Sequence, residues 1–103
     1  MLLPINVEKK IPSLYSMEKV KDEFKLVVCK FFSPYSDWTW YVTEGSRNDD
    51  GDFIFFGLVC GFTKEWGYFS LRELESLTTG AFSLVERDLY FTPATIKELK
   101  LIT

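Results

Sequence analysis

Residues 37–44 decide the fold of this chain, and they read Asp-Trp-Thr-Trp-Tyr-Val-Thr-Glu. This pattern is typical of a β-strand, in which successive side chains point to opposite faces of the sheet. One face is then expected to carry Trp38, Trp40 and Val42, and the other to carry Thr39, Tyr41 and Thr43. Either protein covers both faces, or one face offers aromatic surface to a partner.

Further strands are predicted on both sides of this stretch. Residues 25–32 form the strand before it, and Pro34 lies in the connecting turn. Residues 53–62 form a third strand after a polar loop, and residues 65–69 a short fourth one. Because the connecting loops are short, consecutive strands are expected to pair antiparallel as a meander.

Short helices are predicted around this sheet. Asn6 is a candidate N-cap near the start of the chain, and Pro12 would end that helix. Residues 70–73 read Ser-Leu-Arg-Glu, a capping box, and Gly80 is the expected end of that helix. Pro93 is suited to the first position of a last helix. The predicted fold class is therefore α+β: an antiparallel β-meander of four to five strands, with short helices at the termini and one after the fourth strand.

Two glycines of the third strand, Gly57 and Gly61, lie four residues apart and so share a face. Glycine inside a strand often marks a bulge or the close approach of another group. One interpretation is that aromatic side chains of the second strand cover these glycines. The other is a shallow aromatic groove, built on Trp38 and Trp40, that holds a partner.

Size and composition indicate a single domain over residues 1–103. The sequence is 47% hydrophobic and 17% aromatic, which is ample material for a core. No apolar run is long enough to span a bilayer, and the N-terminus lacks the features of a signal peptide. A cytoplasmic location is therefore predicted. Cys29 and Cys60 lie in apolar strands and are expected to act as small buried hydrophobes, not as a disulfide.

The net charge is −3 and is unevenly distributed. Residues 1–30 carry +2, residues 31–75 carry −5, and residues 76–103 are neutral. The aromatic middle of the chain is thus also its acidic part. A nucleic-acid-binding protein concentrates Lys and Arg where it meets phosphates, so this distribution argues mildly against such a surface.

Several classes of chemistry lack their usual residues. The sequence has no histidine, which removes the commonest general base and metal ligand. It has no C-x-x-C pair, P-loop or Rossmann glycine motif. The loop Asn48-Asp49-Asp50-Gly51-Asp52 resembles a calcium loop, but the required glutamate would fall at Gly57. No metal and no cofactor are expected.

The acidic residues near the aromatics allow two interpretations. Glu44 and Glu86 are candidates for a carboxylate-based hydrolase, with Asp37 and Asp88 nearby. A structural ion-pair cluster is the alternative, in which Arg87 makes a bidentate bond to Glu44 or Glu73. That cluster comprises Glu44, Glu86, Arg87 and Asp88.

Several short pieces carry a resemblance to a known family. They are residues 31–34 (Phe-Phe-Ser-Pro), residues 37–41 with Glu44, residues 55–57 (Phe-Phe-Gly), residues 67–71 with Glu73-Leu74, and residues 86–91 (Glu-Arg-Asp-Leu-Tyr-Phe). The chain resembles a family of small bacterial proteins catalogued as a domain of unknown function. Its members are typically encoded on plasmids, conjugative elements and prophages, often near antirestriction and DNA-transfer genes. Trp66 departs from the family, where a smaller residue is expected.

The resemblance implies a mobile-genetic-element setting but supplies no catalytic residues. The first functional hypothesis is a non-enzymatic protein that inhibits or modulates a host defence or DNA-processing protein, an anti-defence role. Its binding surface would combine aromatic anchors with acidic steering charges: Trp38, Trp40, Tyr41, Trp66, Asp49, Asp50 and Asp52. An exposed Trp face would also suit a homodimer.

Two alternatives belong to other classes. In the first, the protein binds single-stranded nucleic acid, with bases stacked on Trp38, Trp40 or Tyr41. Lys25, Lys30 and Arg47 would then hold the phosphates. In the second, the chain is the carboxylate-based hydrolase described above.

Overall fold

A computed structural model describes residues 2–101 of the chain. Its helices are α1 (Ile5–Glu8), a 3-10 helix (Asp22–Phe24) and α2 (Leu71–Ser76). Its strands are β1 (Leu26–Val27), β2 (Cys29–Phe32), β3 (Thr39–Arg47), β4 (Phe53–Cys60), β5 (Lys64–Ser70), β6 (Thr78–Thr79), β7 (Phe82–Ser83), β8 (Glu86–Arg87) and β9 (Ala94–Thr95).

The centre of the fold is a five-stranded antiparallel sheet with the order β5-β4-β3-β2-β8. Strands β2 to β5 follow one another as a meander, and β8 returns to pair with the free edge of β2. Two small ladders, β1 with β9 and β6 with β7, lie outside this sheet. The predicted α+β class and its antiparallel meander are confirmed.

A β-bulge at Thr43 shifts by one residue the alternation of β3 side chains between the two faces of the sheet. Val42 pairs with Gly57, but Glu44 pairs with Phe56, so β3 has one residue more than β4 at this point. Gly57 is required here, because a Cβ atom would overlap the carbonyl oxygen of Tyr41. The extra residue rotates the strand and moves Glu44 away from the face that carries Val42.

The two faces of the sheet bury different clusters. Face A is the side of Phe31, Trp40, Val42 and Phe55, and residues of the N-terminal segment, α2 and the segment before β8 cover it: Leu3, Ile11, Leu74 and Val85. Face B is the side of Tyr41, Glu44, Phe56, Leu58 and Trp66. Val27 and Ile96 pack on it, with partly buried residues of the C-terminal segment around them. The faces predicted for Trp40 and Tyr41 are therefore confirmed.

The first predicted strand is divided at Val28. The N–H of Val28 donates to the carbonyl oxygen of Val42 at 2.9 Å, but the chain changes partners at this point. β1 pairs with β9, whereas β2 pairs with β3. The division lets the C-terminal segment join the fold through backbone hydrogen bonds.

The helix after β5 begins as predicted and ends earlier. The Oγ of Ser70 accepts a hydrogen bond from the N–H of Glu73 at 3.1 Å, as an N-cap should. The helix stops at Ser76, and Gly80 instead has φ +60° in the tight turn between β6 and β7. A two-residue hairpin turn needs a left-handed residue, which glycine supplies at little cost.

The predicted last helix is not formed in the described part of the chain. Residues 94–95 form β9, and turns follow, including one hydrogen bond from the N–H of Leu99 to the carbonyl oxygen of Thr95 at 3.0 Å. Pairing with β1 fixes an extended backbone at Ala94 and Thr95, and this places Ile96 on face B with no exposed surface. Ile102 lies outside the described residues.

Among residues 2–101, the helices are all too short and too polar to cross a lipid bilayer.

Candidate functional site

The aromatic residues predicted as anchors lie on opposite faces of the sheet. Trp38 and Trp40 belong to face A, where their ring centroids are 5.9 Å apart. Tyr41 and Trp66 flank Leu58 on face B, because the register aligns all three across β3, β4 and β5. The four aromatic anchors therefore do not form one surface.

Trp38 is the centre of an aromatic cluster at the end of the β3–β4 pair. Phe62 meets it edge to face, with ring centroids 5.6 Å apart and an interplanar angle of 83°. The indole lies directly over Gly61, where a Cβ atom would be 2.5 Å from the ring. The interpretation that an aromatic residue covers Gly61 is confirmed, whereas at Gly57 the close neighbour is the backbone of Tyr41.

This cluster borders an apolar groove, hereafter the Trp38 groove. The groove has a volume of about 330 Å³, and its lining consists of Ser33, Ser36, Trp38, Trp40, Leu77, Leu84 and Val85. A second depression of about 480 Å³ adjoins it through Leu84 and is lined by Tyr35, Thr79, Phe82 and Leu84. Among residues 2–101, no charged side chain lines either depression. The surface is therefore suited to an apolar, uncharged ligand segment.

Large exposed apolar side chains lie next to the groove. Phe82 and Tyr35, which line the adjoining depression, are 70% and 67% exposed, and Phe62, which contacts Trp38, is 95% exposed. Leu77, in the wall, is itself exposed. Single exposed hydrophobic residues are ordinary, but several around one concave apolar site mark an interaction surface.

Two hairpins form the walls of the groove. On one side, the turn after β2 is held by Ser33, whose N–H donates to the carbonyl oxygen of Trp38 at 3.0 Å. On the other side, the N–H of Leu84 donates to the carbonyl oxygen of Leu77 at 2.8 Å and closes the base of the β6–β7 hairpin. Both apolar walls are thus fixed by backbone hydrogen bonds close to the side chains that line the groove.

The acidic loop lies at the other end of the same strand pair. The nine residues of β3 separate it from Trp38, a distance of about 30 Å at roughly 3.3 Å per residue. Asp50 makes an ion pair of 3.4 Å with Arg72. Asp49 is exposed and makes no ion pair within the described range. The aromatic and acidic parts of the predicted binding surface are therefore two separate regions.

Asp52 has a structural role in this loop. Its side chain is buried, and Oδ1 accepts hydrogen bonds from the N–H of Phe53 at 2.8 Å and of Arg72 at 3.1 Å. Burial raises the pKa of Asp52, but the hydrogen bonds from Arg72 and Phe53 outweigh it and hold the pKa below its ordinary value. A residue fixed in this way is not a free steering charge.

The three cations expected to hold phosphates are engaged elsewhere. Lys25 is only 6% exposed, pairs with Asp22 at 3.2 Å and lies over the ring of Trp66. Lys30 pairs with Asp88 at 3.6 Å. Arg47 pairs with Glu8 and donates to the carbonyl oxygen of Gly51 at 2.8 Å. None of the three lines the Trp38 groove.

The predicted bond between Arg87 and Glu44 is wrong. Arg87 stands opposite Phe31 in the ladder and so belongs to face A, whereas the bulge places Glu44 on face B. Within residues 2–101, Arg87 has no ion-pair partner, and its buried Nε has no hydrogen-bond partner. Of the remaining cluster, Asp88 pairs with Lys30, and Glu86 is exposed beside Arg87 and Glu75 in a shallow depression.

The two cysteines are free and lie on different faces. Cys29 packs in the face A cluster, and Cys60 is partly buried against the face B cluster. Burial raises the pKa of Cys29 to about 11, although the nearby Arg87 acts in the opposite direction. Burial also raises the pKa of Cys60. Both therefore behave as the small hydrophobes that the sequence indicates.

Several groove residues were not singled out from the sequence. Phe62, Leu77, Phe82 and Leu84 sit at strand ends or in short hairpins, where a local pattern does not say which face they share. One available signal was the pair Gly61-Phe62, a large apolar residue beside glycine at a strand end. A second was the apolar tip of residues 77–84 around Gly80.

Comparison with known protein families identifies the family of this chain. The profile of the family described as Protein of unknown function (DUF2958) matches residues 5–98. The chain belongs to this family. The match covers nearly all of the strands above, and the family description names no activity. Comparisons with curated proteins and with solved structures gave no match.

Proposed function

We propose that this DUF2958 protein is a non-enzymatic binding protein that docks an apolar segment of a protein partner in the Trp38 groove. The observation that carries the proposal is the groove itself, which is concave, is lined by uncharged side chains among residues 2–101, and has exposed aromatic side chains next to it. Aromatic residues are effective interface anchors because they bury a large area at little entropic cost.

Trp38 and Phe62 are the proposed anchors. Phe62 is almost fully exposed and meets Trp38 edge to face, so a partner can still cover most of its surface. Trp40, at 7% exposure, forms the floor and has a mainly structural role. The partner class anticipated from the family resemblance, a host defence or DNA-processing protein, is part of this proposal.

Single-stranded nucleic acid is the less favoured ligand. Bases can stack on Trp38, but a nucleic acid also needs cations along its backbone. Lys25, Lys30 and Arg47 have other partners, and neither depression has a basic lining residue in the described part of the chain. A hydrolase is also less favoured, because Glu44 and Glu86 do not converge on one site.

Site-specific photocrosslinking tests the proposal. The photoreactive p-benzoylphenylalanine replaces Phe62 in one variant and Tyr90 in a control, since Tyr90 is 94% exposed and lies outside the groove. In a bacterial lysate, we expect the Phe62 variant to form a discrete crosslink with a second protein and the Tyr90 variant to form none. Introducing Leu84→Asp into the Phe62 variant should abolish that crosslink, because it places a charge in the groove lining.

Other outcomes contradict the proposal in distinct ways. A crosslink only between two copies of this chain would assign the groove to a homodimer. Equal crosslinking from Phe62 and Tyr90 would mean that the groove has no preference for a partner. Saturable, salt-dependent binding of a single-stranded oligonucleotide, lost in Trp38→Ala, would favour the nucleic-acid alternative.

A further inference from the structure

A small cavity on face B is separate from the Trp38 groove. Its volume is about 130 Å³, and its lining includes Glu44, Lys25, Phe56, Tyr15 and Tyr68. The bulge at Thr43 brings Glu44 to this face, directly opposite Phe56 in the ladder. Phe56 in turn pairs with Tyr68 on β5, so adjacent strands supply the floor and one wall.

The carboxylate of Glu44 is buried in the wall of this cavity. It is only 3% exposed, and its Oε2 accepts one hydrogen bond, from the N–H of Met17 at 2.9 Å. Its Oε1 accepts no hydrogen bond from residues 2–101, and no Lys or Arg in that range forms an ion pair with it. Oε1 is not fully buried, so it is accessible from the cavity and can accept a hydrogen bond from a cation there.

Lys25 shares the cavity lining but does not neutralise Glu44. Its Nζ pairs with Asp22 at 3.2 Å and lies 5.1 Å from the centroid of the Trp66 ring and 5.6 Å from that of Phe56. Glu18 also lines the cavity. The lining therefore carries two carboxylates, Glu18 and Glu44, and one ammonium group, Lys25, which is itself paired with Asp22.

Aromatic rings form the remaining walls. Tyr68 packs against Phe56 with ring centroids 5.0 Å apart, and Tyr15 also lines the cavity. Interaction with the Tyr15 hydroxyl, and then burial, raises the pKa of Tyr68, so its hydroxyl stays neutral at physiological pH. Tyrosine faces carry the negative ring potential that attracts organic cations.

We propose that this cavity binds an organic cation, an ammonium or guanidinium group, that donates a hydrogen bond to Oε1 of Glu44 and packs against Tyr15 and Tyr68. The volume suits the end of a basic side chain, because a water molecule has a share of only about 30 Å³ in the liquid. The group belongs either to a small molecule or to a Lys or Arg side chain of a protein. This inference does not depend on the Trp38 groove.

Titration of the full chain with ethylguanidinium tests the site, with N-ethylurea as the neutral molecule of the same shape. Binding is followed by the amide NMR shifts of Met17 and Phe56. We expect saturable shifts with ethylguanidinium and none with N-ethylurea. A second arm compares a blocked Ala-Arg-Ala peptide with its citrulline counterpart. Tighter binding of the Arg peptide than of ethylguanidinium would indicate a protein side chain, and equal binding would indicate a small-molecule amine or guanidine.

Substitutions connect the binding to Glu44. Glu44→Gln keeps the shape and removes the charge, and it should weaken ethylguanidinium binding by about tenfold or more, as expected for a charge-assisted hydrogen bond. Glu65→Gln, an exposed acid on β5, is the matched control and should leave the affinity unchanged. If Glu44→Gln does not fold, Tyr68→Leu provides the second variant and should weaken binding severalfold by removing an aromatic wall.

Three results would overturn the proposal. The first is the absence of saturable shifts at Met17 and Phe56 with every cation tested. The second is equal binding of N-ethylurea and ethylguanidinium, which would show a site without charge selectivity. The third is unchanged affinity in folded Glu44→Gln or in Tyr68→Leu.

Discussion

The two ends of the β3–β4 strand pair differ in how they use their distinctive residues. At the acidic loop, Asp52 is buried and accepts two backbone hydrogen bonds, and Asp50 pairs with Arg72. At the aromatic end, Phe62 is 95% exposed, and its ring meets that of Trp38 edge to face. Two of the three predicted steering charges thus have partners within the fold, whereas Phe62 stays exposed. This contrast is why we propose binding at the aromatic end.

Trp40→Ala should have the largest effect on stability, because Trp40 is the buried floor of the aromatic end. We expect a loss of about 3–5 kcal/mol in the free energy of unfolding, the range for truncation of a large buried aromatic. Urea denaturation followed by circular dichroism measures it. Phe62→Ala is the matched control and should change stability by less than about 0.5 kcal/mol. A large loss in Phe62→Ala would mean that Phe62 is structural and would remove the contrast between the two ends.

Asp52→Ala should have the next largest effect and tests the acidic end. It removes the acceptor of the N–H groups of Phe53 and Arg72, so we expect a loss of about 2 kcal/mol. Thermal and urea unfolding both report it. Asp49→Ala, an exposed residue of the same loop, should be nearly neutral. If both variants lost the same free energy of unfolding, Asp52 would have no structural role beyond that of Asp49. The acidic loop would then again be a candidate for a surface that steers a partner by charge.

Gly61→Ala should have a smaller effect on stability and a visible effect on the groove. The new methyl group would lie 2.5 Å from the Trp38 indole, which must move, at a cost of about 1 kcal/mol. Gly67→Ala is the control, because a Cβ atom there meets nothing within 4 Å. Acrylamide quenching of Trp fluorescence should increase in Gly61→Ala only. Unchanged quenching would show that Trp38 does not rest on Gly61 in solution.

The sequence predicted the sheet well because its signals are local. Alternation in residues 37–44 assigns Trp40 and Tyr41 to their faces, and the short loops predict the antiparallel order. The division at Val28 and the loss of the last helix were not predictable in this way. Both depend on the pairing of β1 with β9, which joins residues about seventy positions apart. Such a contact outweighs local helix preference.

One extra residue at Thr43 explains why the predicted ion pair between Glu44 and Arg87 is wrong. Strict alternation would place Glu44 on the face of Trp40 and Val42, which is also the face of Arg87. The bulge moves Glu44 to face B, which prevents the predicted ion pair and creates the cavity beside Phe56. Gly57 was the available signal, since glycine in a strand marks bulges, but it does not say which residue of the partner strand is the extra one.

The smallest predicted effect is the contribution of the Asp52 carboxylate to the pH dependence of the protein's stability. Its pKa in the folded protein lies below the ordinary value of 3.8, so below that pH the unfolded chain binds more protons than the folded one. The stabilising contribution is complete above pH 3.8 and is lost as the pH falls through the folded-state pKa. The stability difference between the wild type and Asp52→Asn should therefore narrow as the pH is lowered from 5 to 2.5.

Urea unfolding at each pH measures that difference directly. Glu98 also has a lowered pKa, through hydrogen bonds from Thr95, but it is present in both proteins and cancels in the comparison. A constant difference for Asp52→Asn across the range would mean that the carboxylate charge adds nothing to the two hydrogen bonds. Hydrogen bonding by Asp52 would then stabilise the acidic end without a contribution from its charge. The two ends would differ in how their side chains are packed, and not in the use of a charged group.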